Sequence, residues 1–320
     1  MYDYFMEKLV WQMFILGCGN LDSALEKGLG GVIFFSKDIT SESDFMNLIR
    51  NITTKALIPP FLSIDQEGGR VERTENIRPK RLSARYAFAQ GEKFLRHQSD
   101  EISKELSLLG LNLNFAPCAD VNTNPLNPII GERAFSNKTD EVIKGVEIVT
   151  ESLRKHKIIP CVKHFPGHGD ADKDSHLTLP VINLSLEEME KIHIQPFKAA
   201  VNNNIEMIMV AHLHCTCFDK KTTPASLSKN VISYLRNNLN YNGILISDDM
   251  VMKGVQDYGN LEAVIMGIKA GLDMFIFRDS DEKTLNMINE LVNFVEKDEV
   301  LQKRVIESNK RIEILKQKYM

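Results

Sequence analysis

Short, almost wholly apolar runs recur along the chain. Each is followed by a polar cluster and then by a stretch with apolar residues at helical spacing. The runs cover residues 14–18, 31–35, 60–64, 111–117, 158–163, 206–211, 243–246 and 274–277. Helical stretches are predicted over 21–29, 41–56, 93–109, 140–156, 185–202, 229–239 and 260–270. Two amphipathic helices, over 282–296 and 298–318, finish the chain. Ser41 is the expected N-cap of a helix with Phe45, Leu48, Ile49 and Ile52 on one face, Ser185 forms a capping box with Glu188, and Gly271 marks a stop. Runs apolar on both faces and separated by helices imply a parallel sheet covered on both sides. Eight of them in 320 residues suit an α/β fold, a (β/α)8 TIM-type barrel. The expectation is a single domain over 1–320 with C-terminal helices, about 282–320, packed on it. A doubly wound open sheet is the alternative.

A barrel places its chemistry at the carboxyl ends of the strands. Asp65, Asp120, Lys163, His164, His212, Asp248 and Arg278 all fall at such ends. The densest cluster runs from Lys163-His164-Phe165-Pro166-Gly167-His168-Gly169 to Asp174-Ser175-His176. Pro166 has no N–H to continue a ladder, so the strand should stop there. Gly167 and Gly169 are expected to take backbone angles other residues avoid.

Composition narrows the partners. A net charge of -4 gives no basic excess for nucleic acid or an anionic membrane. No segment reaches the length of a membrane span, and the N-terminus lacks the pattern of an export signal. Five cysteines without framework spacing fit a reducing compartment. Cys215-Thr216-Cys217 is too tight for a usual zinc pair and lacks a second pair; these thiols read as free.

Three chemistries compete for the rim. His164, His168, His176, His212 and His214 with nearby carboxylates suggest a metal-dependent hydrolase. That reading lacks the His-x-His on the first strand that amidohydrolase-like barrels carry. Asp65-Gln66-Glu67-Gly68-Gly69-Arg70 has glycines, but its carboxylates would repel a phosphate and no nucleotide fingerprint is matched. Glycosidic cleavage needs an acid for the leaving oxygen, a nucleophile or base opposite it, and polar groups to grip hydroxyls, all of which the rim supplies. Asp248 and Asp249 should point in different directions, one into the pocket and one into the loop. Arg70, Glu67 and Asp249 are expected to brace loops, Asp120 to brace the pocket floor, and Asp170 and Asp172 to be solvated.

The segment 163–169 with Asp174-Ser175-His176 resembles the signature loop of glycoside hydrolase family 3, and more narrowly its β-N-acetylhexosaminidase branch. Residues 65–73, Asn114-Phe115-Ala116-Pro117, Gly131-Glu132-Arg133-Ala134-Phe135 and Ser247-Asp248-Asp249-Met250 match in the family's order, so the likeness covers about residues 10–280. The resemblance implies a retaining double displacement. Asp248 matches the nucleophile, His176 the general acid/base, and Asp174 the group that orients and tunes His176. Asp65, Arg73, Arg133, Lys163 and His164 match positions that bind the non-reducing N-acetylglucosamine. No metal and no cofactor is implied. Many members carry a second α/β domain, for which this chain has no room, so the acid must come from the barrel. That form resembles the cytoplasmic, peptidoglycan-recycling type. Its expected substrate is N-acetylglucosamine β-1,4-linked to anhydro-N-acetylmuramic acid, with or without peptide, and the expected state is a monomer. The alternatives are another family 3 sugar or acceptor preference, including phosphate; the metal-dependent hydrolase; and a catalytically silent sugar-binding protein.

Overall fold

A computed structural model describes residues 2–171 and 179–320. Eight parallel strands close a barrel in sequence order. They are β1 (Phe14–Gly17), β2 (Gly31–Phe34), β3 (Phe61–Ile64), β4 (Leu113–Asn114), β5 (Ile159–Phe165), β6 (Met207–Val210), β7 (Ile244–Asp249) and β8 (Met274–Phe277). Closure comes from β1 against β8, with Phe14 opposite Phe275 and Leu16 opposite Phe277. Residues in the first four positions of every strand but the two-residue β4 are buried, as the apolar runs require.

Helices fill the connections near the predicted bounds. Ser41 caps Glu42–Lys55 by accepting the Asp44 N–H at 3.1 Å. Ser185 and Glu188 form the expected capping box. The predicted helices 185–202 and 229–239 each contain a wide π turn, at Met189–His193 and Tyr234–Asn238. The last two helices are Glu282–Val295 and Glu299–Tyr319. A helix over Tyr2–Trp11, packed against both, has no counterpart in the sequence reading. Among the described residues, no helix is long and apolar enough to cross a membrane.

Strand β4 is shorter than its apolar run. Asn114 turns its side chain on the β3 loop, accepting from the Gln66 N–H and donating to the Gln66 carbonyl, both at 2.9 Å. Pro117 then offers no N–H, although its carbonyl still accepts from Lys163 at 3.2 Å.

Two irregularities in the barrel ladder matter for the site. Val162 pairs with Ile208 and Phe165 with Val210, so Lys163 and His164 together oppose one residue of β6. Ile246 pairs with Met274 and Asp249 with Ile276, so Ser247 and Asp248 together oppose one residue of β8. Each is a two-against-one bulge, a device that re-aims side chains at a barrel rim.

The opposite end of the barrel holds a buried ammonium. Lys316 is 8% exposed, donates to Gln12 Oε1 at 2.8 Å and lies 5.0 Å from the Phe61 ring centre. Burial pushes its pKa down to about 7 from an ordinary 10.5. Below pH 7 both folded and unfolded chains carry this proton, and the cost of burying it is fully present. Between about pH 7 and 10.5 the folded chain sheds it first, so stability should rise with pH. Urea unfolding of wild type and Lys316→Met across that range checks this. The wild type should gain on the order of a few kcal/mol relative to the variant.

Candidate active site

A cleft of about 390 Å³ opens at the carboxyl ends of the strands. Its wall includes Asp65, Arg73, Arg133, Lys163, His164 and Asp248, the six predicted nucleophile and sugar-binding residues that are described. Asp174 and His176 lie outside the described residues.

The loop after β3 is folded by its glycines. Gly68 and Gly69 take φ of 95° and 63°, and a Cβ on Gly68 would meet the Leu82 carbonyl oxygen at 2.4 Å. Gln66 reaches across the turn and accepts the Arg73 N–H at 2.8 Å, while its amide also bonds Glu72. Arg73 is thereby held beside Phe35, with its guanidinium 5.7 Å from the ring centre. Arg70 donates to the Pro128 carbonyl at 3.0 Å and also to that of Ile129, the bracing role expected of it.

Below the cleft floor lies a charged core. Lys163 is 2% exposed, and its ammonium sits 2.6 Å from Asp65 Oδ1 and 2.7 Å from Glu67 Oε1. Arg133 meets Glu67 through two parallel bonds, Nε to Oε2 at 2.9 Å and Nη2 to Oε1 at 2.8 Å. Burial disfavours the Glu67 carboxylate, but Arg133 and Lys163 outweigh it and hold the carboxyl far below its usual range. Glu67 thus braces more than the loop expected of it: it joins the two cations.

Arg133 Nη2 also lies 3.3 Å from His164 Nε2. A guanidinium can only donate, so Nε2 accepts and Nδ1 carries the proton, which it gives to Asp120 Oδ2 at 2.7 Å. Asp120 is fully buried and also accepts the His168 N–H at 2.6 Å and the Cys118 thiol at 3.2 Å. Burial opposes its ionisation, but His164 and the donors around it keep the carboxyl well below its usual range. Asp120 therefore braces the floor, as expected, by fixing the His164 ring. Cys118, Asp120 and His164 bring their ligand atoms within 4.8 Å of one another, the one such group among the described residues. These atoms are already joined by hydrogen bonds. His168 is 2% exposed, and burial and the His164 ring push it down to about 4.

Asp248 and Asp249 both line the cleft at the tip of β7, although alternation would send one of them away. Asp248 is half-buried in the cleft wall and accepts the Asp249 N–H at 2.8 Å. Burial disfavours its charge, yet His164, His212 and that N–H leave its pKa lowered. Asp249 pairs with Arg278 Nε at 2.5 Å and accepts the Val251 N–H at 3.1 Å, which makes it the loop anchor. His212 supports the same strand tip from behind. Its Nε2 lies 3.1 Å from the Asp249 carbonyl oxygen, which can only accept, and its Nδ1 takes the Ser226 hydroxyl at 2.7 Å. His214 faces the Thr223 carbonyl at 3.2 Å. Neither histidine lines the cleft.

Two expectations change. Asp170 was expected to be solvated, but it accepts the Thr123 hydroxyl at 2.9 Å; Asp172 lies outside the described residues. Gly167 has the expected positive φ of 124°, whereas Gly169 is required by close approach, since a Cβ there would sit 1.8 Å from the Val121 carbonyl oxygen. Phe35, Ile129 and Met252 also line the cleft. Their apolar character gave no local sign of a site.

Comparisons agree with this architecture. The model of the glycosyl hydrolase family 3 N-terminal domain matches residues 21–315. A beta-hexosaminidase A of Pseudoalteromonas piscicida is 29% identical over 319 residues, covering 91% of this chain and 53% of that protein. A beta-hexosaminidase of Methylococcus capsulatus is 31% identical over 270 residues, covering 82% of this chain and 80% of its own length. A family 3 beta-N-acetylglucosaminidase from Paenibacillus superposes with a TM-score of 0.93 at 29% identity, over 98% of this chain and 62% of that one. The chain thus spans about half the length of the Pseudoalteromonas relative. The matched family model covers nearly the whole barrel and its flanking helices, and the chain belongs to glycosyl hydrolase family 3.

Proposed function

We propose that this chain is a retaining exo-β-N-acetylglucosaminidase. It removes terminal N-acetylglucosamine from β-1,4-linked peptidoglycan fragments, N-acetylglucosamine on anhydro-N-acetylmuramic acid with or without peptide. In this reading it works in the cytoplasm as a monomer without a cofactor. The carrying observation is Asp248, an ionised carboxylate on a bulged strand tip in the cleft wall, with Asp65, Arg73, Arg133, Lys163 and His164 lining the same cleft.

Asp248 attacks the anomeric carbon and forms a glycosyl-enzyme as the leaving oxygen departs. Its lowered pKa keeps it ionised at neutral pH, as a nucleophile requires. His176 protonates the leaving oxygen and then takes a proton from water, with Asp174 fixing its tautomer. That assignment rests on the family motif. Asp65 accepts from sugar hydroxyls on the side not taken by Lys163. The Lys163 ammonium, held between two carboxylates, sets where Asp65 sits. Arg73 approaches the sugar directly from the β3 loop.

The test is product analysis with a muropeptide and with a chromogenic N-acetylglucosaminide, each with and without phosphate. The expected outcome is free N-acetylglucosamine of retained anomeric configuration from both substrates, unchanged by chelator. A sugar 1-phosphate would move the reading to a phosphorylase. Loss of activity with chelator, restored by a divalent cation, would favour the metal-dependent alternative. Binding without turnover would leave a sugar-binding protein.

A further inference from the structure

Five thiols are free in this chain, and two of them meet away from the cleft. The short strand His214–Cys215 pairs in parallel with Val181–Ile182, with Cys215 opposite Ile182. The chain turns at once. The Thr216 N–H donates to the Ile182 carbonyl at 3.1 Å, and the Phe218 and Asp219 N–H groups return to the Cys215 carbonyl at 3.1 and 3.3 Å. This turn brings Cys217 Sγ back to 4.0 Å from Cys215 Sγ.

The two sulfurs differ in access and in acidity. Cys215 is 2% exposed, whereas Cys217 is half-buried. The hydrogen bond between the two sulfurs favours a thiolate at Cys217 and lowers its pKa, against burial and the charges of Asp219 and Glu190. The same hydrogen bond and burial push the Cys215 thiol up. A reachable nucleophilic sulfur backed by a second, buried thiol is the arrangement that thiol–disulfide exchange uses. The other buried thiols lack such a neighbour: Cys118 donates to Asp120, and burial pushes Cys161 up.

We propose that Cys215 and Cys217 form a redox modification site that closes to an intramolecular disulfide by exchange with a low-molecular-weight disulfide. The Cys217 thiolate attacks one sulfur of the small disulfide, breaking its S–S bond and releasing one thiolate, which takes up a proton. Cys215 gives its proton to solvent and attacks the Cys217 sulfur of the mixed disulfide, expelling the second thiolate. The protein loses two hydrogens, and the small disulfide is reduced to two thiols. The sulfurs must close from 4.0 Å to about 2.05 Å across a single intervening residue. Thr216 is that residue, and its amide holds the strand pair. The bond is therefore expected to be readily reversed. This site does not depend on the glycosidase reading.

The test incubates the intact protein with oxidised glutathione, quenches with acid, alkylates the remaining thiols and maps the peptides. In wild type, both thiols of the 215–217 peptide should be lost together and without an adduct, then restored by reduced glutathione. Cys118 and Cys161 should stay alkylatable after unfolding. Cys215→Ser should stop with one glutathione on Cys217, and Cys217→Ser should leave Cys215 unmodified. A lasting glutathione on wild-type Cys217 beside a free Cys215 would overturn the proposal. So would two unreacted thiols, or modification of Cys215 in the Cys217→Ser variant.

Discussion

Asp248→Ala should lower turnover by a factor on the order of ten thousand or more, with the barrel intact. The first half follows from the proposed chemistry: without a carboxylate at the tip of β7, nothing attacks the anomeric carbon. The second half follows from the surroundings. Among the described residues, the Asp248 carboxylate takes one hydrogen bond, from the Asp249 N–H, and is ionised despite the burial that opposes its charge. Its lowered pKa means that the attractions slightly outweigh that desolvation cost, so the unfolding midpoint should be little changed or modestly lowered, with the barrel still folded. Circular dichroism and urea unfolding beside the rate measurement check both halves. Wild-type turnover in the variant would remove Asp248 from the mechanism.

Glu67→Gln should be the most damaging change that does not touch the nucleophile. Glu67 neutralises Lys163 and Arg133 together, and its side chain is 5% exposed. Glutamine keeps the shape but leaves Lys163 with Asp65 and, among the described residues, leaves Arg133 without a paired carboxylate. Breaking a buried pair in this way costs about 3–5 kcal/mol. The Arg133–His164 contact depends on the same anchor, so turnover should fall as well. The acid limb gives an independent readout. The folded Glu67 carboxyl is held below its ordinary 4.5, so its contribution is complete above that pH and is lost as pH falls through the folded value. Asp120 acts in the same sense. Wild type should therefore lose stability on acidification more steeply than Glu67→Gln. Parallel acid unfolding curves would mean that Glu67 is not ionised in the folded chain.

Much of the frame is legible in the sequence, because parallel strands covered on both faces must be apolar throughout. Residues 31–35 or 274–277 can hardly be anything else, and in a barrel the polar residue after each run marks the rim. The pairings at that rim are another matter. Lys163 meets Asp65 and Glu67 across about a hundred residues of chain, and only the ladder register brings them together. Lys163 and His164 both reach the cleft, although alternation would send one away; the reason is the bulge opposite β6, which no local pattern announces. Nothing local points to the place of Cys118, whose thiol donates to Asp120, the carboxylate that also holds the His164 ring. The Tyr2–Trp11 helix does leave a local sign, since buried Met6 and Val10 stand four residues apart on one face.

A covalent intermediate on Asp248 can be trapped. His176→Ala, given an activated aryl N-acetylglucosaminide, should still be attacked, because a good leaving group needs little protonation. It should be slow to release the sugar, because water then lacks its base. Acid quench followed by peptide mass mapping should find one N-acetylhexosaminyl group, on Asp248. A sugar on any other residue, or no adduct together with a product of inverted configuration, would rule out Asp248 as the nucleophile.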